Sequence, residues 1–160
     1  MGKARAHRDC YWRLEFHLLY TFFVTKDTKL QDFPYKRIHR ILITNFFLYK
    51  CGLKETELCT FCTGTKESLV HIFWECNHVR NFWLAIDNFQ KIYGVSLLFN
   101  ANDIILGLTE HISPQGTINN ALIILKYYIY VCKCKRRALN LEGGLKFLKY
   151  AINIEKASMI

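Results

Sequence analysis

The stretch Leu58–Cys76, LCTFCTGTKESLVHIFWEC, gathers three of the chain's seven cysteines and one of its six histidines. Its candidate ligands Cys59, Cys62, His71 and Cys76 follow the spacing C-x2-C-x8-H-x4-C. Thiolates and imidazoles are what zinc prefers at structural sites, four at a time in a tetrahedron. A C-x2-C pair on a tight turn, here around Thr60 and Phe61, presents two sulfurs to one ion, and Thr63 with Gly64 then lets the backbone turn away. Cys76 comes five residues after His71, about 140° around an ideal helix, so the two cannot face one ion from a single regular helix. The helix carrying His71 is therefore expected to end near Glu75, with Cys76 in the bend before the next one. Four protein ligands leave no open position for water, which makes the expected Zn2+ structural and not catalytic. Cys51 and His78 are alternative ligands by proximity in sequence. Cys10, Cys132 and Cys134 read as ordinary thiols, and His39 as a helix-surface or packing residue.

A 160-residue chain is expected to form one domain, with at most a small subdomain, and can bury roughly two thirds of its unfolded surface. A hydrophobic fraction of 51% supplies a core and argues against a disordered chain. An odd number of cysteines, and a start (MGKARAHRDCYW) with no apolar run, point to reduced thiols in an intracellular compartment, not to a secreted disulfide framework. The longest apolar run, ALIILKYYIYVC, is interrupted by Lys126 and is too short to cross a bilayer, so no membrane partner is expected. Twenty-two Lys and Arg against 13 Asp and Glu leave a net charge of +9, a balance that favours polyanionic partners, nucleic acid first.

Apolar residues recur mostly at spacings of three and four, which predicts a mainly α fold: a small helical domain with an embedded CCHC zinc-binding loop. Helices are expected over about Tyr11 to Phe23, from Pro34 to near Gly52, over Lys66 to Glu75, and from Val79 to Tyr93. The segment from Ile118 to Leu139 is apolar nearly all round and is expected to be the central core helix, parted from a last amphipathic helix by Gly143 and Gly144. The chain divides accordingly into an N-terminal arm and link (residues 1–33), a zinc-binding module (34–94) and a C-terminal helical segment (95–160).

The same residues resemble the reverse-transcriptase zinc-binding domain of LINE-type, non-LTR retrotransposons. The resemblance rests on Cys59, Cys62, Glu67, His71, Phe73, Trp74, Cys76, Phe82 and Trp83. Upstream, Ile41, Leu42, Thr44, Asn45, Leu48, Tyr49 and Gly52 also match; with softer matches downstream it covers about residues 26 to 155. It implies a module on the C-terminal side of a reverse transcriptase that helps hold RNA or target DNA, with a reverse transcriptase domain as a possible partner. It does not supply the polymerase: that chemistry needs paired aspartates holding two metal ions, and the chain has no Asp-Asp dipeptide. The chain is therefore expected not to be an enzyme.

For phosphate contact the candidates are two basic groups, Lys36, Arg37 and Arg40, then Lys133, Lys135, Arg136 and Arg137. Phe61, expected to stand exposed between two ligands, is the candidate for stacking on an unpaired base. The competing expectation is an interaction scaffold that docks on a polymerase or another partner through an apolar helical face.

Overall fold

The computed structural model describes residues 27–93, 99–106 and 114–157. Among these, the fold is mainly helical and has no strand, only an isolated antiparallel bridge between Leu58 and Lys66. The helices are α1 (Thr28–Ile38), α2 (Asn45–Lys50), α3 (Asn77–Ile92), α4 (Ala101–Leu106), α5 (Pro114–Cys134) and α6 (Leu141–Ala157), with a single π-helical turn at His71–Glu75. No helix among the described residues is long and apolar enough to cross a membrane. The helix expected over Tyr11 to Phe23 lies outside the described residues.

α5 is the centre, as its all-round apolar sequence demands: Leu122, Leu125, Tyr128, Ile129 and Cys132 belong to the main core. α1 lies against it through Phe33, whose ring stands 5.3 Å from that of Tyr127, and through Leu30, which packs with Ile124 and Ala151. On the other side Phe82 of α3 stacks 5.7 Å from Tyr128, and the indole of Trp83 donates to Phe73 O at 3.0 Å. The aromatic stripe of α3 thus fills the core, with Val79, Phe82, Trp83 and Ile86 all buried.

Four expected boundaries move, one of them the helix expected from Lys66, which begins only at Leu69 because Lys66 pairs with Leu58 in the bridge. The helix from Pro34 to Gly52 is two helices, and α1 begins before Pro34, at the Asp27 cap that accepts from Lys29 N. The break between them is local chemistry: Arg40 takes a left-handed φ of 56°, and Thr44 starts α2 by accepting from Phe47 N at 3.2 Å. Gly52 does end α2 as expected, with a φ of 69° and a bond from Leu53 N to Leu48 O. Gly143 and Gly144, expected to break the chain, sit inside the first turn of α6. They are there for closeness: a Cβ on Gly144 would lie 2.8 Å from the Phe82 ring, and one on Gly143 would lie 2.4 Å from Tyr128 Oη. The break falls instead just after α5, where Arg136 has a φ of 51°.

Candidate metal centre

The bridge at Leu58 and Lys66 closes a short knuckle, tightened by Cys59 N to Thr65 O at 2.7 Å and Glu67 N to Glu57 O at 2.8 Å. Inside it the left-handed residue is Thr63, with a φ of 53°, and not Gly64. A β-branched residue rarely occupies that region, so the rest of the knuckle holds it there.

Ser68 Oγ then accepts from His71 N at 3.0 Å as the chain turns helical. The helix opens into a π turn, with Cys76 N bonded to His71 O at 2.9 Å. Closing the turn five residues apart, not four, brings residue 76 back over residue 71. Cys76 itself is extended (φ −61°, ψ 128°) and caps α3, its carbonyl accepting from Arg80 N. The bend expected at Cys76 is present, and the wide turn before it aims both side chains at one point.

The donor atoms of Cys59, Cys62, His71 and Cys76 all lie within 4.8 Å of one another. Cys59 Sγ is 3.9 Å from Cys76 Sγ, and Cys62 Sγ is 3.4 Å from His71 Nε2. Zn–S bonds of about 2.3 Å at tetrahedral angles put sulfurs about 3.8 Å apart, whereas a disulfide needs about 2.05 Å. The spacing therefore fits four ligands around a single ion, and these four residues can hold a metal. Cys59 and Cys76 are buried, His71 is 5% exposed and Cys62 is partly open. Cys51 and His78, the alternative ligands, are exposed and outside the cluster.

The surroundings favour the thiolate at Cys76 and the thiol at Cys59. A hydrogen bond from the Cys59 thiol holds Cys76 below the ordinary thiol range, helped by the backbone N–H groups of His78 and Val79 at the start of α3. The same bond, with burial, pushes Cys59 up. Phe61 N also points at Cys59 Sγ, 3.4 Å away. On the outer side of His71, Nδ1 faces a Glu75 carboxylate oxygen at 3.9 Å, as suits an imidazole ligating through Nε2.

Behind the knuckle is a polar centre built on Glu67, which is fully buried. One carboxylate oxygen accepts from Asn45 N at 2.7 Å; the other accepts from Thr60 N and Thr60 Oγ1, both at 2.8 Å. Lys133 Nζ lies 3.3 Å away and also donates to Ile43 O at 2.7 Å. Asn45 closes the ring by donating to Leu58 O at 2.6 Å. Thr60 lies between two of the clustered cysteines, Asn45 starts α2, and Lys133 is near the end of α5, so Glu67 ties two remote segments to the knuckle. Glu67 entered the sequence reading only through the family resemblance; its partners lie up to 66 positions away, beyond the reach of spacing.

The basic candidates divide. Arg37 is 7% exposed and donates to Ile105 O, and burial pushes its guanidinium down to about 10. Lys133 is 6% exposed and ion-paired. Neither can meet phosphate on the surface: each points inward because a remote group inside receives it. Lys36 is half exposed but paired with Asp32. Arg40, Lys135, Arg136 and Arg137 are exposed, and no carboxylate among the described residues pairs with them. Phe61, expected to stand free, is half-buried and packs against the main core.

No family model matches this chain, and neither does any curated protein or solved structure.

Proposed function

We propose that the chain is a zinc-stabilised nucleic-acid-binding module, similar in role to the C-terminal part of a non-LTR retrotransposon reverse transcriptase and without a polymerase centre. The observation that carries this reading is the set of three sulfurs and one ring nitrogen closed around one point. Cys59, Cys62, His71 and Cys76 would hold the ion, and a site closed by four protein donors gives it a structural task. Structural zinc contributes roughly 10–16 kcal/mol of apparent binding free energy near neutral pH, more than the whole stability of many domains.

The net charge of +9 and the unpaired exposed cations support a polyanionic partner, RNA or DNA. In this reading the chain is not an enzyme and works inside the cell, where its thiols stay reduced. Metal analysis of the purified protein beside titration of labelled RNA and DNA at several salt concentrations tests it. About one equivalent of zinc, with affinity that falls steeply as salt rises, is the expected result; a protein without metal, or without binding at low salt, refutes the corresponding half.

A scaffold role has one observation in its favour. Ile41, Ile43, Phe47, Tyr49 and Leu53 are all more than 40% exposed along one short stretch, a patch suited to docking on a reverse transcriptase domain or another protein. A folded, zinc-loaded chain that binds no nucleic acid would favour this second role.

A further inference from the structure

The two basic groups are far apart in sequence and adjacent in space. Ile43 O, three residues past Arg40, accepts from both Lys133 Nζ at 2.7 Å and Tyr130 Oη at 3.3 Å. Arg136 N in turn bonds to Lys133 O, which places the exposed run Lys135–Arg137 directly after this junction. Three residues of chain span at most about 10 Å, so Arg40 lies within that distance of the junction. Between and beside the cations stand exposed apolar side chains, Ile41, Ile43 and, one turn further on, Phe47. Arg40 and Arg136 both hold left-handed backbone, so each sits on a chain reversal and not along a helix face.

We propose that the 40–44 link and the end of α5 form one face for single-stranded nucleic acid, with Arg40, Lys135, Arg136 and Arg137 holding phosphates and Phe47 stacking on a base. The proposal rests on the nucleic-acid reading above and says where that strand lies. Charge complementarity selects the occupant: Arg80 and Lys149 are also exposed outside any ion pair among the described residues, but here four such cations gather around one junction, whereas Lys91 and Lys146 are neutralised by Asp87 and Glu142. Exposed cations followed seven positions after Arg40 by the exposed ring of Phe47 suit an unpaired strand, whose bases offer open faces. Glu67 connects this face to the metal, because it receives the knuckle through Thr60 and fixes both Asn45 and Lys133, one on each side of the junction.

The test is fluorescence anisotropy of the full, zinc-loaded chain with labelled 20-nucleotide oligo-dT, 20-nucleotide oligo-U and a 20-base-pair duplex. Four phosphate contacts on a single strand imply a salt slope near −2.8, or about fifty-fold weaker binding at 200 mM salt than at 50 mM. Arg40→Gln should shrink that ratio to about twenty-fold, and Arg136→Gln with Arg137→Gln to about seven-fold. Phe47→Ala should weaken binding at fixed salt by about five-fold or more. Lys91→Gln and Lys146→Gln should change nothing. Oligo-U against oligo-dT tells which sugar is preferred. If the wild type binds but the controls weaken it as much as the face variants do, or the duplex binds as tightly as the strands, this face is overturned and nucleic-acid binding stands. If the wild type binds none of the three at 50 mM salt, the nucleic-acid reading fails and this proposal with it.

Discussion

Replacing Glu67 with alanine removes the one buried group on which the knuckle, α2 and α5 converge. The carboxylate is fully buried and accepts three hydrogen bonds of 2.7–2.8 Å besides its ion pair with Lys133. Its loss leaves a nearly buried ammonium without its counter-charge, a change that costs about 3–5 kcal/mol. It also orphans the N–H groups of Asn45 and Thr60; each unsatisfied donor adds about 1–3 kcal/mol unless water reaches it. Glu67→Ala is thus expected to destabilise the protein by at least about 3 kcal/mol and to lower Tm by roughly 10 °C. Urea unfolding followed by circular dichroism measures this, with zinc held in constant excess so that metal binding does not shift the comparison. The reasoning makes a second, sharper demand. Lys133→Met alone strands the buried carboxylate and Glu67→Gln alone strands the ammonium, whereas the two together remove both charges and should cost clearly less than those two single losses added together. A loss below about 1 kcal/mol for Glu67→Ala, or strict additivity in the double variant, would refute the account of Glu67 as the central tie.

Cys62→Ser is expected to release about one equivalent of zinc and to abolish protection of residues 58–76 in hydrogen exchange, because three remaining ligands leave the knuckle unpinned. Lys126 is fully buried, donates to Ile104 O at 2.9 Å, and is held well below the ordinary lysine range by burial and then by Arg37. The unfolded chain therefore binds this proton more tightly than the folded one, so its contribution to stability is worst at low pH and improves as pH rises through the depressed folded value towards about 10.4. Lys126→Met should remove that part of the pH dependence and stabilise the protein by about 1–3 kcal/mol at pH 7, read from urea unfolding across pH; an unchanged pH profile contradicts it. Gly144→Ala places a methyl 2.8 Å from the Phe82 ring, which Trp83 and Tyr128 confine. It should destabilise by about 1–3 kcal/mol in thermal unfolding although alanine favours helix by about 1 kcal/mol.

The cluster of Cys59, Cys62, His71 and Cys76 was legible in the sequence because a tetrahedral metal site constrains donor type and number so tightly that spacing alone nominates it. The bend at Cys76 was legible too, since five residues of regular helix cannot aim two donors at one ion. The means was not: a π turn differs from an α turn by one hydrogen bond, and no residue type announces it. The glycines misled for a related reason. Gly143 and Gly144 resemble a helix stop when only backbone freedom is considered, and the Phe82 and Tyr128 rings that require their smallness lie far back along the chain.

By itself, then, the sequence determined the helical class, the central position of α5 and the clustering of four residues that can hold a metal, all of which follow from local periodicity and coordination chemistry. Only the tertiary structure decided the fate of the charges. Arg37 and Lys133 look no different in sequence from Arg40 and Arg136, yet the first two are drawn inside by Ile105 O, Ile43 O and Glu67, while the second two remain in water. Whether a cation is buried depends on whether a remote acceptor can replace its hydration, and such acceptors take their places only when the chain has folded.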